Sequence, residues 1–128
     1  MRGIFEFEIG GKKRGFKFGT YALSVACKKE GCSVDALFRR CGIPYRDEAG
    51  NVKADPIDLQ AFINLWYGAA IHFAKSAGQE VDFTEVEVSD WCDELGQERV
   101  EAMLLEAIIP YNPKNSTSPT TEVGEKSQ

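Results

Sequence analysis

His72 is the residue best suited to acid–base or metal chemistry, because it is the single histidine in the 128-residue chain. An imidazole can act as a general base or as a metal ligand near neutral pH. The sequence supplies no second histidine, and no motif places a serine or cysteine nucleophile beside it. We therefore interpret His72 as a helix residue at the margin of the core, and an enzyme that uses His72 or the cysteines is the alternative.

Other residue types match known chemical sites no better. The cysteines at 27, 32, 41 and 92 have neither the spacing of zinc ligands nor that of a disulfide framework, so we expect structural thiols. The acidic residues between 85 and 94 lack a calcium-loop pattern and predict a solvated helix face. Gly10 and Gly11 occur without a phosphate-loop motif. The sequence therefore predicts no catalytic residue, no metal and no cofactor.

Charge is distributed unevenly along a chain whose net charge is −5. Residues 1–53 contain eleven Lys and Arg against six Asp and Glu, whereas residues 54–128 contain four against fourteen. Such asymmetry can orient a protein on a charged partner or favour head-to-tail association of copies. Solvated faces without any partner explain the same pattern.

The basic residues near the N-terminus suggest a second possible partner, nucleic acid. Lys12, Lys13, Arg14 and Lys17 form one cluster, and Arg39 and Arg40 another. The sequence lacks a recognition-helix signature, and its pI of about 4.9 is acidic. A small nucleic-acid-binding regulator that uses the basic N-terminal half is therefore kept as the alternative function, and we do not expect nucleic acid as the main partner.

The elements that must position these residues are organised around one apolar helix. Asp55 and Pro56 form a helix-start signal, and Gly78 is placed for a left-handed cap at the end. Apolar residues recur every three or four positions and share one face. That face comprises Leu59, Phe62, Ile63, Trp66, Ala70 and Phe73, widened by Ala61, Leu65 and Ala69. The outward strip comprises Gln60, Asn64, Tyr67 and Lys75.

A β-hairpin is predicted over residues 4–18. Phe5, Phe7 and Ile9 alternate with glutamates, which is the period of a half-buried strand. With Gly10 and Gly11 as the turn, Phe5 lies opposite Phe16 and Glu8 opposite Lys13. Because an isolated hairpin is only marginally stable, we expect its aromatic face to pack on the central helix.

Four further helices are predicted from caps and apolar stripes. Thr20 is the expected cap of a helix that Gly31 stops, and Ser33 caps a short helix over residues 34–40. Thr84 with Glu87 forms a capping box for a helix through residue 95, and an alternating strand over residues 86–88 is the weaker alternative. A last helix covers residues 97–109 and ends at Pro110. Its inward residues are Val100, Met103, Leu104, Ala107 and Ile108.

The chain thus reads as one α+β domain over residues 1–110, in which an N-terminal β-hairpin packs on a bundle of about five helices. Residues 43–54 are expected to be a polar loop. Residues 111–128 are polar and predict a disordered C-terminal tail. No apolar run is long enough to cross a bilayer, and we expect a cytoplasmic protein without a membrane partner.

The order of these elements and several short strings resemble the tail assembly chaperones of long-tailed bacteriophages and prophages. The hairpin string is Phe-Glu-Ile-Gly-Gly-Lys at 7–12, followed by Phe-Gly-Thr-Tyr-Ala-Leu at 18–23. Gly-Cys-Ser-Val-Asp-Ala-Leu-Phe at 31–38, Leu-Trp-Tyr-Gly-Ala-Ala at 65–70 and Thr-Glu-Val-Glu-Val-Ser-Asp-Trp at 84–91 also fit. Lys13 and Arg14 depart from the family, which often has a more apolar return strand.

The resemblance implies a non-enzymatic function in the bacterial host cytoplasm. Such chaperones bind the tape-measure protein before the tail tube forms around it, and they help to recruit tail tube subunits. Expected partner contacts are three aromatic or aliphatic residues and a basic strip. They are Lys12, Lys13, Arg14, Tyr21, Tyr67 and Ile71. For Tyr67 and Ile71, cover by another helix of the same chain is the alternative.

Overall fold

A computed structural model describes residues 3–108 of the chain. The predicted tail over residues 111–128 and the predicted helix stop at Pro110 lie outside these residues. Within them the α+β prediction is confirmed, with an N-terminal hairpin followed by five helices. The elements in order are β1 Ile4–Ile9, β2 Lys12–Lys17, α1 Thr20–Glu30, α2 Val34–Arg40, β3 Tyr45–Arg46, β4 Val52–Lys53, α3 Leu59–Ser76, α4 Glu85–Leu95 and α5 Gln97–Ile108.

The hairpin has the predicted register. β1 and β2 pair antiparallel, with Phe5 opposite Phe16 and Glu8 opposite Lys13. Gly10 and Gly11 both have positive φ, 61° and 77°, as a two-residue turn of this kind requires. Phe16 packs edge-on against Trp66 of α3 at a centroid distance of 4.6 Å. The expected packing of the aromatic face on the central helix is therefore confirmed.

The central helix begins later than its sequence signal predicted. Asp58, not Asp55, is the N-cap residue, and its carboxylate accepts from the backbone N–H groups of Gln60 and Ala61. Asp55 instead accepts a hydrogen bond from the hydroxyl of Tyr45 at 3.0 Å. The helix end is as expected, since Gly78 has a φ of 72°.

Two residues of α3 lie on the opposite side from the one predicted. Leu59 was expected to face the core but is 71% exposed, because the first turn of the helix extends beyond the elements that cover it. Asn64 was expected to face solvent but is buried. Its amide donates to Glu30 Oε2 at 2.7 Å, so a hydrogen bond to a carboxylate offsets the cost of burial.

The other caps and loops agree with the sequence except at two places. Ser33 caps α2, and Thr84 with Glu87 forms the capping box of α4. Thr20 is not a cap: the N-cap of α1 is Gly19, which offers no side-chain hydrogen bond. The predicted polar loop contains the short β3–β4 ladder, because Asp47 Oδ1 accepts two backbone N–H groups and closes a tight turn.

The apolar stripe predicted for α5 is confirmed for Val100, Met103, Leu104 and Ala107, which are buried. The side chain of Ile108 lies outside the described residues. α5 packs chiefly on α4, while α3 is covered by β2, α1 and α4. None of the helices described between residues 3 and 108 has the length and apolar character of a membrane span.

Helix α3 crosses α1 at very short range. A Cβ built on Gly68 would lie 2.5 Å from the carbonyl oxygen of Ala22 and 3.4 Å from the backbone nitrogen of Ala26. Ala22 and Ala26 are themselves fully buried. Small residues on both helices therefore allow the two backbones to touch.

Gly68→Ala is expected to destabilise the protein by about 1–3 kcal/mol, because the added methyl group must push α1 away from α3. This cost exceeds the gain of about 1 kcal/mol that alanine brings to a helix interior. Urea denaturation measures the free energy of unfolding. Ser24→Ala on the exposed side of α1 is the control, and a Gly68→Ala variant as stable as the native protein would contradict the close crossing.

Candidate functional site

An open apolar groove of about 630 Å³ lies on the surface of the described residues. Its walls come from three segments: residues 41–44 after α2, residues 57–62 at the start of α3, and residues 92–105 across the end of α4 and most of α5. We call this feature the groove. It lies beyond the part of α3 that the hairpin and α1 cover.

Two glycines with positive φ shape the walls of the groove. At Gly42, with a φ of 80°, the chain turns after α2, and Ile57 packs so closely that a Cβ on this glycine would lie 2.6 Å from Ile57 Cγ1. The N–H of Asp58 donates to the carbonyl of Arg40 at 2.7 Å and fixes this return. Gly96, with a φ of 97°, separates α4 from α5.

The groove has a buried apolar floor and an exposed apolar rim. Cys41, Ile43, Val100 and Leu104 are buried and form its floor. The rim residues Ile57, Leu59 and Leu105 are 54%, 71% and 57% exposed. Three large aliphatic side chains that converge on one concavity are typical of a surface that binds another apolar group.

The thiols at the groove are poor nucleophiles. Burial raises the pKa of both Cys41 and Cys92 to about 12. Both therefore stay protonated at neutral pH and contribute apolar surface rather than thiolate. All four cysteines are free. Between residues 3 and 108, no group of three or more His, Cys, Asp and Glu side chains is arranged to hold a metal ion.

His72 lies away from the groove, half-buried against the start of α1. Its ring packs on Gly19 and meets the ring of Tyr21 edge-on at 5.6 Å. Burial, and next the charge of Lys17, lower the pKa of His72. The imidazole is therefore neutral near pH 7, in contact with an aromatic ring and a glycine.

The predicted basic strip is divided between the two faces of β2. Lys12 and Arg14 project to one face, where both pair with Asp82, and the Arg14–Asp82 distance is 2.7 Å. Lys13 projects to the other face, where its Nζ lies 3.5 Å from Glu6 Oε1. The three side chains therefore do not share one face, because successive residues of a strand point to opposite sides.

Arg14 is also enclosed by aromatic rings. Its guanidinium carbon lies 5.5 Å from the ring centroid of Phe83 and 5.1 Å from that of Trp91. Cation–π contacts of this kind hold the segment before α4 against the hairpin. Since Lys12, Lys13 and Arg14 each contact a carboxylate, their geometry does not favour the nucleic-acid hypothesis.

The remaining predicted contact residues also lie outside the groove. Tyr21 is 44% exposed, whereas Tyr67 and Ile71 are half-buried. Tyr67 lies against Phe83 at 6.1 Å, and Lys29 Nζ stands 5.3 Å from its ring centroid. Residues of the same chain therefore cover part of Tyr67.

Sequence reasoning did not identify the residues of the groove rim. Ile57 and Leu59 flank the N-cap residue Asp58. This pair of apolar residues beside a helix cap was the sequence signal that could have indicated an exposed apolar rim. Leu105 follows the inward residue Leu104, so it lies off the buried stripe of α5. Searches for similar proteins found no matching family model, curated protein or solved structure.

Asp82→Asn is expected to lower the melting temperature at neutral pH. Hydrogen bonds from Arg14 and Lys12 hold the pKa of the Asp82 carboxyl well below its usual range. A carboxyl whose pKa falls on folding stabilises the folded state above its unfolded pKa of about 3.9. That contribution is lost as pH falls towards the folded pKa.

Thermal denaturation between about pH 7 and pH 2 measures this effect, since the range spans the unfolded pKa of aspartate. The difference between Asp82→Asn and the native protein should shrink towards the acid end. Asp90→Asn, on the exposed side of α4, is the matched control. A melting-temperature difference that is constant over the whole range would contradict the ion-pair account.

Proposed function

We propose that the protein is a non-enzymatic tail assembly chaperone, which binds the tape-measure protein in the bacterial host cytoplasm and helps tail tube assembly. The observation that carries this proposal is the groove with its exposed aliphatic rim. The resemblance in element order and local strings supplies the identity of the partner.

A chaperone of this kind has to cover apolar helical segments of a long partner without fixing them permanently. An apolar groove between helices is a common receptor for one face of an amphipathic helix. Each fully buried aliphatic side chain contributes roughly 1.5–3 kcal/mol before the costs of association. Three rim residues, Ile57, Leu59 and Leu105, therefore support reversible binding, which suits a partner that must be released into the tube.

Recruitment of tail tube subunits requires a surface that stays free while the groove is filled. Tyr21, 44% exposed and outside the groove, belongs to such a surface in this proposal. It stands on α1 beside His72, and Lys13 is exposed on the hairpin. Aromatic and cationic side chains that are both accessible suit a second protein contact.

Leu59→Asp and Leu105→Asp are expected to weaken binding of the tape-measure protein while the fold is kept. Both side chains are mostly exposed, so the folded chain tolerates the charge, whereas a carboxylate in a filled apolar groove is costly. We expect affinity to fall by about tenfold or more for each variant. Co-expression with segments of the tape-measure protein, followed by co-purification and titration, measures the loss.

The matched control is Val86→Asp on α4, because Val86 is 70% exposed and does not line the groove. This variant should bind as the native protein does. If the native protein leaves every tape-measure segment aggregated and unbound, the proposed function is wrong. If Val86→Asp impairs binding as strongly as Leu59→Asp does, the groove is not the contact surface.

A further inference from the structure

The charged residues that line the groove all lie on one of its sides. Asp93 on α4 and Glu101 on α5 belong to the wall that α4 and α5 form. Gln97, the first residue of α5, also lines the groove, and its side chain donates to Glu101 Oε2 at 3.0 Å. The facing wall, over residues 41–44 and 57–62, contributes only uncharged lining residues. The groove is therefore apolar in the middle and anionic along one border.

The two carboxylates are available to a partner. Asp93 and Glu101 are both exposed, and within residues 3–108 neither forms a salt bridge with a cationic side chain. Two other acidic residues of α4 are engaged within the chain: Glu85 pairs with Lys29, and Glu87 closes the capping box of the helix. The anionic border is thus uncompensated charge beside exposed apolar surface.

We propose, resting on the proposed function, that the groove binds helices whose apolar stripe is bordered by Lys or Arg. The stripe contacts Ile57, Leu59 and Leu105, and the cations meet Asp93 and Glu101. Lys and Arg suit this position because their aliphatic stems cover apolar surface while their charged ends reach a rim carboxylate. The carboxylates thereby select among apolar helices and accelerate their capture.

Two designed peptides test the inference without the natural partner. Both are helices of about 18 residues, close to 27 Å long, with the same leucine stripe. One has lysines along one border of the stripe, and the other has glutamates at the same positions. Fluorescence anisotropy of labelled peptides, titrated with the full-length chain, gives the two dissociation constants.

We expect the lysine peptide to bind about tenfold more tightly than the glutamate peptide at about 0.05 M salt, with the gap closing near 1 M salt. Asp93→Lys with Glu101→Lys should reverse the preference, and Asp93→Asn with Glu101→Gln should remove it. The control is Glu48→Lys with Glu80→Lys, which changes the net charge equally at two exposed loop positions outside the groove. This control should keep the preference.

Equal affinities for the two peptides, no binding of either, or reversal by the Glu48 and Glu80 control would overturn the inference. Its failure is distinct from failure of the proposed function. Peptides that are not discriminated, together with a tape-measure complex that depends on Leu59, would leave the chaperone function standing. Peptides that are discriminated, with no tape-measure complex, would leave the groove as a receptor for basic helices and remove the proposed partner.

Discussion

Enclosure of Trp66 is the interaction on which the remaining packing depends. Its indole is fully buried, and the rings of Phe16, Phe18 and Phe62 lie 4.6, 5.0 and 5.9 Å from it between centroids. A two-stranded hairpin does not persist alone in water, so these contacts fix β2 along α3. With α1 crossing at Gly68, most of α3 is covered. The first turn of α3 stays uncovered, and it forms one wall of the groove.

Local patterns predicted the parts of the fold that short-range physics decides. The alternation of Phe5 and Phe7 with glutamates, together with the glycine pair, determines one register because a slip by one residue would expose the aromatic face. The capping box at Thr84 is equally local. The start of α3 was predicted wrongly because Asp55 and Asp58 are both good caps. In the folded chain the Asp55 carboxylate accepts a hydrogen bond from Tyr45, a residue ten positions away, and Asp58 caps the helix.

The groove was not predictable because three distant segments form it. A stripe shows which side of a helix is apolar, but it does not show how far along the helix a neighbour covers that side. Leu59 is apolar and occupies a position of the core stripe, yet it is 71% exposed. Asn64 is polar, yet it is buried, and its amide donates a hydrogen bond to Glu30. The six residues predicted as contacts lie on the hairpin, on α1 and on the middle of α3. The predicted contacts Tyr67 and Arg14 are partly covered because their own chain packs on them.

The charge asymmetry of the sequence separates into two components in the folded chain. Part of the excess acid of the second half is neutralised within the molecule, where Asp82 meets Lys12 and Arg14 and Glu85 meets Lys29. These pairs join α4 and the segment before it to the hairpin and α1, so this part of the asymmetry serves folding. Asp93 and Glu101 form no such pair within residues 3–108, and they stand where aliphatic side chains are exposed. Part of the charge that forms no ion pair therefore lies beside the exposed aliphatic rim of the groove.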